Sequence, residues 1–239
     1  MSQGSQSTPD LEAMRAAAIA PEQVEERCAL AKFASSVFSD VGEQLHVAGH
    51  IFGTDRRDGL SPFGHGDDTT VAVSVLLRIG SQLISGSADL ISNGRHYAGA
   101  ALVRQLVEVE YLAWAFETKD EEAARWLRST REERKEFFTP AKLRAAAGKR
   151  FRGQDYSHHC ELGGHPVPAS WQLLKGEDSV AQFILSDCLG HAGRIWNHLA
   201  RWAEHHPNGA PILSRAEEML KHFTHWKQVD LLTTLPHSS

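Results

Sequence analysis

Over residues 95–116 the chain is apolar on every face apart from its first two residues and Arg104, Gln105, Glu108 and Glu110. A helix of that kind belongs in the middle of a fold, with other helices packed around it. No stretch alternates in the manner of a strand, and no repeat of 20–50 residues occurs. The other periodic segments are helical as well. Across 21–48, Val24, Cys28, Ala31, Ser35, Phe38, Val41 and Leu45 recur at three- and four-residue steps. Asp67-Asp68-Thr69-Thr70 can cap a helix over 71–92, whose Ser74, Gly80, Ser81, Ser85, Gly86 and Ala88 invite close approach of a neighbour. A basic helix over 121–138 is ended or kinked by Pro140, and a shorter one runs to about residue 152. Helices over 179–206 and 213–232 are separated by Pro207-Asn208-Gly209. The expectation is an all-α bundle of about six to eight helices in a single domain over 21–232. A flexible segment and short helix precede it over 1–20, a tail follows over 233–239, and a Gly-rich loop over 49–70 interrupts it.

At 41% hydrophobic and 23% charged residues in 239, the chain can bury a core and is not a disordered polymer. The longest apolar stretch, 71–91, is broken by Arg78 and Asp89, so no membrane span is expected. The first residues have neither a basic nor an apolar region of the secretory kind. Cys28, Cys160 and Cys188 are scattered and odd in number, which suits a reducing cytoplasm.

The net charge of −5 conceals an asymmetry. Residues 123–154 hold ten basic side chains (Arg125, Arg128, Arg131, Arg134, Lys135, Lys142, Arg144, Lys149, Arg150 and Arg152) against Glu132, Glu133 and Glu136. Such a block on an acidic body attracts phosphate. It is equally a solvated helix face whose arginines pair with nearby acids.

Fourteen histidines raise the question of metal. Glu43-x-x-His46 with His50 lies on one helical face. A carboxylate-bridged di-metal bundle needs two Glu-x-x-His pairs, and this chain has one. Asp187, His191, Arg194, His198, Arg201 and His205 fall within an arc of about 80° on one helix. His191 and His198, about 10.5 Å apart along the axis, cannot share an ion, so the stripe suits a polar seam against another helix, or a face that contacts phosphate or RNA. His158, His159, Cys160 and His165 could hold zinc, but their spacing lacks the two ligand pairs of most zinc sites. Arg104 and Glu108, four residues apart on the apolar helix, make either a buried ion pair or a polar site completed by Tyr156 or His165. Phosphate-loop, nucleophile-elbow and dinucleotide-binding motifs are missing, and neither cofactor nor metal is expected.

Two segments carry a resemblance. Ala100-Ala101-Leu102-Val103-Arg104-Gln105-Leu106-Val107-Glu108, and Tyr156-Ser157-His158-His159-Cys160-Glu161-Leu162-Gly163-Gly164-His165-Pro166, resemble two boxes of a widespread bacterial all-helical family, over roughly residues 71–232. That family is similar to the HEPN superfamily of helical bundles, whose active members are metal-independent ribonucleases of toxin–antitoxin and phage-defence systems. Active members carry Arg-x(4–6)-His, usually duplicated across a dimer. The arginine stabilises the phosphorane and the histidine moves the 2′-hydroxyl proton. The resemblance makes His165 the counterpart of the motif histidine, but the nearest arginine before it is Arg152, thirteen residues back. Arg201-x4-His206 fits the spacing at a helix end, and Arg194-x3-His198 is one residue short.

The sequence therefore points first to a cytoplasmic HEPN-like protein that binds or acts on RNA. Its candidate catalytic residues are His165, Arg104, Glu108, Tyr156, Arg201 and His206. Its candidate phosphate contacts are Arg125, Arg128, Arg131, Arg134, Arg144, Arg150, Arg152, Arg194 and His198. A homo-oligomer is expected. The alternatives are a non-catalytic module that dimerises or docks onto a partner protein, and a His/Cys metal-binding protein.

Overall fold

A computed structural model describes residues 11–52, 66–119, 121–148, 150–151 and 153–234. Among them every regular element is helical. The long helices are α2 (Pro21–Ile51), α3 (Asp68–Ser92), α4 (His96–Thr118), α10 (Asp178–His205) and α11 (Ala210–Val229). Short ones fill the rest: α1 (Leu11–Ala18), α5 (Glu122–Arg128), α6 (Arg131–Phe137), α7 (Pro140–Ala146), α8 (Gly153–His159), α9 (Trp171–Leu174) and α12 (Leu231–Thr234). A π-type turn, Cys160–Gly164, continues α8, and a 3₁₀ turn spans Pro168–Ser170. Of the loop expected over 49–70, residues 53–65 lie outside the described residues, and its flanks are helical.

The apolar helix lies where its composition demands. α4 runs between α3 and α10, with Val103, Leu106, Val107, Ala113 and Phe116 buried in one continuous core. α3 lies antiparallel to α2, and small residues set the spacing. A Cβ on Gly42 would meet Arg78 Cγ at 2.7 Å, and one on Gly80 would meet Phe38 Cδ1 at 3.0 Å. Ser35 and Ser81 exchange hydrogen bonds across the gap, each hydroxyl donating to the other's carbonyl at 3.0 and 2.8 Å. By length and composition α3 could cross a membrane. Yet 61% of its most apolar window is buried, as in a core helix.

The basic helix expected over 121–138 is two helices. Thr130 breaks it with a capping box, its hydroxyl accepting from Glu133 N while the Glu133 carboxylate accepts from Thr130 N. Reciprocal satisfaction of two helix-end donors outweighs continuation through Ser129-Thr130. Several of the block's arginines are engaged inside the chain. Arg125 pairs with Glu122 at 3.3 Å and lies over the Phe137 ring at 3.8 Å. Arg128 pairs with the fully buried Asp68, and Arg134 donates to Ser129 O. Arg131 is exposed. Arg152 falls outside the described residues.

The two ends of the chain are tied together by a buried ion pair that no local pattern announced. Arg27, fully buried on α2, donates to both carboxylate oxygens of Asp230 (2.6 and 2.8 Å), to Ala18 O (2.7 Å) and to Gln182 Oε1 (3.1 Å). Trp226 Nε1 and Leu232 N also donate to Asp230, at 2.7 and 2.9 Å. All four acceptor sites of the carboxylate are thereby used, which is what makes a desolvated charge tolerable.

Candidate functional site

α4 and α10 run parallel, and their polar residues meet in a repeated unit. On α10 the stripe gives His191 and Arg194, then His198 and Arg201. On α4 it is met by Glu110, then Glu117. Each pair of equivalents is seven residues apart, about 10.5 Å along the axis. In the first unit Glu110 Oε2 accepts from His191 Nδ1 at 2.6 Å, and Arg194 Nε lies 2.9 and 3.0 Å from its two oxygens. In the second, Glu117 accepts from His198 Nδ1 and from Arg201 Nε and Nη2. A carboxylate only accepts, so the Nδ1 of each imidazole is the donor to its glutamate. The stripe is thus a polar seam against another helix, and it also has an open side.

That open side is a cleft of about 1810 Å³. Arg144, Arg150, Arg194 and Arg201 line it. The half-buried Phe151 and Phe183 and the mostly buried Tyr111 add aromatic surface. At its inner end His159 joins the first unit, its Nε2 lying 3.3 Å from His191 Nε2 and 3.3 Å from Asp187 Oδ2. Asp187 Oδ1 is 3.5 Å from His191 Nε2.

His159 is the last residue of α8. The chain leaves it through a wider turn in which His165 N donates to Cys160 O at 3.0 Å, five residues back. The turn lies directly on α4. A Cβ on Gly163 would come within 2.5 Å of the Ala100 and Ala101 backbone, and one on Gly164 within 2.5 Å of Arg104 Cδ. The paired glycines allow that approach.

Beside the cleft, Arg104 and Glu108 pair at 2.8 Å with side chains 24% and 35% exposed, half-buried rather than buried. Tyr156 completes the group, accepting from Arg104 Nη2 at 2.7 Å and donating to Glu108 Oε1 at 3.2 Å. Arg144 lies 4.6 Å over the Tyr156 ring. Burial lowers the Arg104 pKa, but contact with Cys160 and the charge of Glu108 leave it raised overall. Burial and Glu108 raise the Tyr156 phenol against the pull of Arg104.

Electrostatics make the two Glu-His-Arg units stiff. Burial alone would raise the Glu110 carboxyl. The His191 hydrogen bond and the Arg194 charge outweigh it and hold the group below the ordinary carboxylate range. Glu117 is held low in the same way by Arg201 and His198. For His198 burial wins, aided by the charges of Arg150 and Arg201, and keeps the imidazole below its ordinary value despite Glu117. His206 is lowered by burial too, with Asp67 opposing.

These shifts share one sign for stability. A folded-state pKa below the unfolded one means that the unfolded chain takes up the proton first as pH falls. Stability is therefore complete above about pH 6.5, declines below it as His198 and His206 titrate, and declines further below about pH 4.5 as the glutamates do. Thermal melts are expected to show a lower midpoint at pH 5.5 than at pH 7.5, with a smaller difference in His198→Gln. An equal or larger difference in that variant would contradict the assignment.

Several residues singled out in the sequence are elsewhere. His165 caps the wide turn with its side chain exposed and does not line the cleft. The four His/Cys residues considered for zinc do not converge. His159 turns to the cleft while Cys160 lies against Arg104. Arg201 and His206 have the right spacing but not the right direction, because five residues along a helix is a turn of about 140°. Arg201 lines the cleft, while His206 stacks on Trp202 at 4.4 Å and faces Asp67 at 3.3 Å. Arg144, Arg150, Arg194 and His198 do line the cleft. Glu110, Glu117 and His159 had not been placed with the stripe. The matching seven-residue steps of Glu110–Glu117, His191–His198 and Arg194–Arg201 were the signal for the two glutamates.

No protein-family model, curated protein or solved structure matches this chain.

Proposed function

We propose that the cleft binds a single strand of RNA. The observation that carries this is the pair of Glu-His-Arg units, which set two guanidinium groups about 10.5 Å apart along one groove. Two fixed cationic positions in line suit a polyanion better than one small anion. Arg194 through Nε, and Arg201 through Nε and Nη2, bond the glutamate of their own unit, yet their side chains remain 49% and 44% exposed. Arg144 and Arg150 extend the cationic wall. Phe151 and Phe183 supply apolar faces on which bases stack, the combination that serves single strands without sequence preference. RNA rather than DNA follows from the resemblance to the HEPN superfamily. The proposal concerns binding. His165 and His206, the histidines that the resemblance associates with cleavage, stand outside the cleft.

The test is fluorescence anisotropy of a labelled single-stranded oligoribonucleotide in EDTA at low salt. Arg144→Glu/Arg150→Glu is expected to weaken binding by at least about tenfold and to flatten the salt dependence by roughly one phosphate contact per arginine. Arg131→Glu, on the exposed face of α6, is expected to change affinity by less than about threefold. Equal losses in the two proteins would place the RNA elsewhere.

A further inference from the structure

We infer that His159, Asp187 and His191 form a binding site for one divalent transition-metal ion of the zinc class, open to the cleft. Three donor atoms meet there from two elements distant in sequence. The separations are 3.3 Å between the two Nε2 atoms, 3.3 Å from His159 Nε2 to Asp187 and 3.5 Å from His191 Nε2 to Asp187. Bonds of about 2.0–2.1 Å to a tetrahedral ion set ligand atoms roughly 3.3–3.4 Å apart, so the triangle has the size of one face of that tetrahedron. Among the described residues this is the one group of histidine, cysteine and acidic side chains whose ligand atoms converge in this way.

The support around the ligands is of the right kind. Metal-bound histidines generally donate their second ring nitrogen to a carboxylate, which fixes the tautomer and strengthens the donor. Glu110, 4% exposed, does this for His191 at 2.6 Å, with the ring turned so that Nε2 faces His159. In the second unit His198 is anchored in the same way by Glu117 but has no counterpart of Asp187 or His159 beside it, so only the first unit has converging ligand atoms. Arg194 is ion-paired with Glu110 and is not a member of the triangle. Two neutral imidazoles and one carboxylate leave a divalent ion with a net positive charge. His159 and His191 are nearly buried, while Asp187, with its side chain 44% exposed, stands at the cleft side, so the fourth position is open to a ligand there. Nitrogen and oxygen donors in tetrahedral array select Zn²⁺ or Co²⁺ over Mg²⁺ and Ca²⁺.

Titration of the chelator-treated full chain with Co²⁺ alone, without RNA, tests this, because tetrahedral Co²⁺ absorbs visibly and octahedral Co²⁺ hardly does. The expected result is a visible band that saturates at one equivalent and is erased by Zn²⁺. Asp187→Asn, a change at a half-exposed side chain, is expected to weaken binding by at least about tenfold while leaving the thermal midpoint nearly unchanged. Glu110→Gln is expected to weaken it by about 10–100-fold, and His158→Ala, at the exposed neighbour of His159, to leave it unchanged. No band, or a band that survives Asp187→Asn but not His158→Ala, would overturn the site. The RNA measurement in EDTA stands apart, so either proposal can fail alone.

Discussion

Asp230→Ala is expected to cost about 3–5 kcal/mol of stability, the range for removing one partner of a buried ion pair. The size follows from what remains. Arg27 would be a fully buried guanidinium retaining only Ala18 O and Gln182 Oε1, and Trp226 Nε1 and Leu232 N would lose their acceptor. Because the pair joins α2 to the segment between α11 and α12, with Gln182 of α10 completing it, the loss should appear as a cooperative shift of the whole urea transition. The pair itself is a poor stabiliser against an apolar alternative of similar volume. Arg27→Met/Asp230→Leu is accordingly expected to recover most of what Asp230→Ala loses. A loss under about 1 kcal/mol in Asp230→Ala, or a double variant as unstable as the single one, would contradict this account of the clamp.

The two Glu-His-Arg units predict a second, graded effect. Their chemistry is the same but their burial differs, with side chains 5% exposed for Glu110 and 17% for Glu117. Glu110→Ala leaves the nearly buried His191 Nδ1–H without its acceptor and strips Arg194 of its counter-charge. A cost of about 2–3 kcal/mol is expected for an unsatisfied buried donor next to a charged group. Glu117→Ala also orphans a buried imidazole, His198 at 3% exposure, but its own 17%-exposed position lets water reach that donor, and a smaller cost of about 1–2 kcal/mol is expected. Urea unfolding of both variants reads the difference directly. Equal costs, or a larger one for Glu117, would mean that burial does not set the strength of these units.

The legible part of the molecule was the part governed by local pattern. The apolar run over 95–116 placed α4 at the centre, and Pro207-Asn208-Gly209 ended α10 as proline and glycine should. The Asp67 cap started α3 within a few residues of the expected position, its side chain accepting from Thr69 N at 3.0 Å. What the pattern did not reveal was long-range pairing. Arg27 and Asp230 are 203 residues apart, and nothing around either announces the other. His159 was grouped with its sequence neighbours His158, Cys160 and His165, although the helix and the wide turn send these side chains in different directions. Its partners, Asp187 and His191, are about thirty residues on. The basic block stayed open between phosphate contact and a self-paired face for a related reason: a count of charges does not say which arginines are already held by Asp68, Glu122 or a backbone carbonyl. The Thr130–Glu133 capping box was readable from sequence, and a box inside a long charged run is a helix start.

The cleft as a seat for RNA is tested most directly by the salt dependence of binding to the unmodified protein, measured with a single-stranded oligoribonucleotide in EDTA and with a mononucleotide as comparison. A strand that meets both guanidinium positions neutralises at least two phosphates, so log K should fall against log[salt] with a slope of about −1.4 or steeper, and the mononucleotide should bind far more weakly. No binding of the oligonucleotide at low salt, or equal affinity for the mononucleotide, would contradict a groove built for a polyanion.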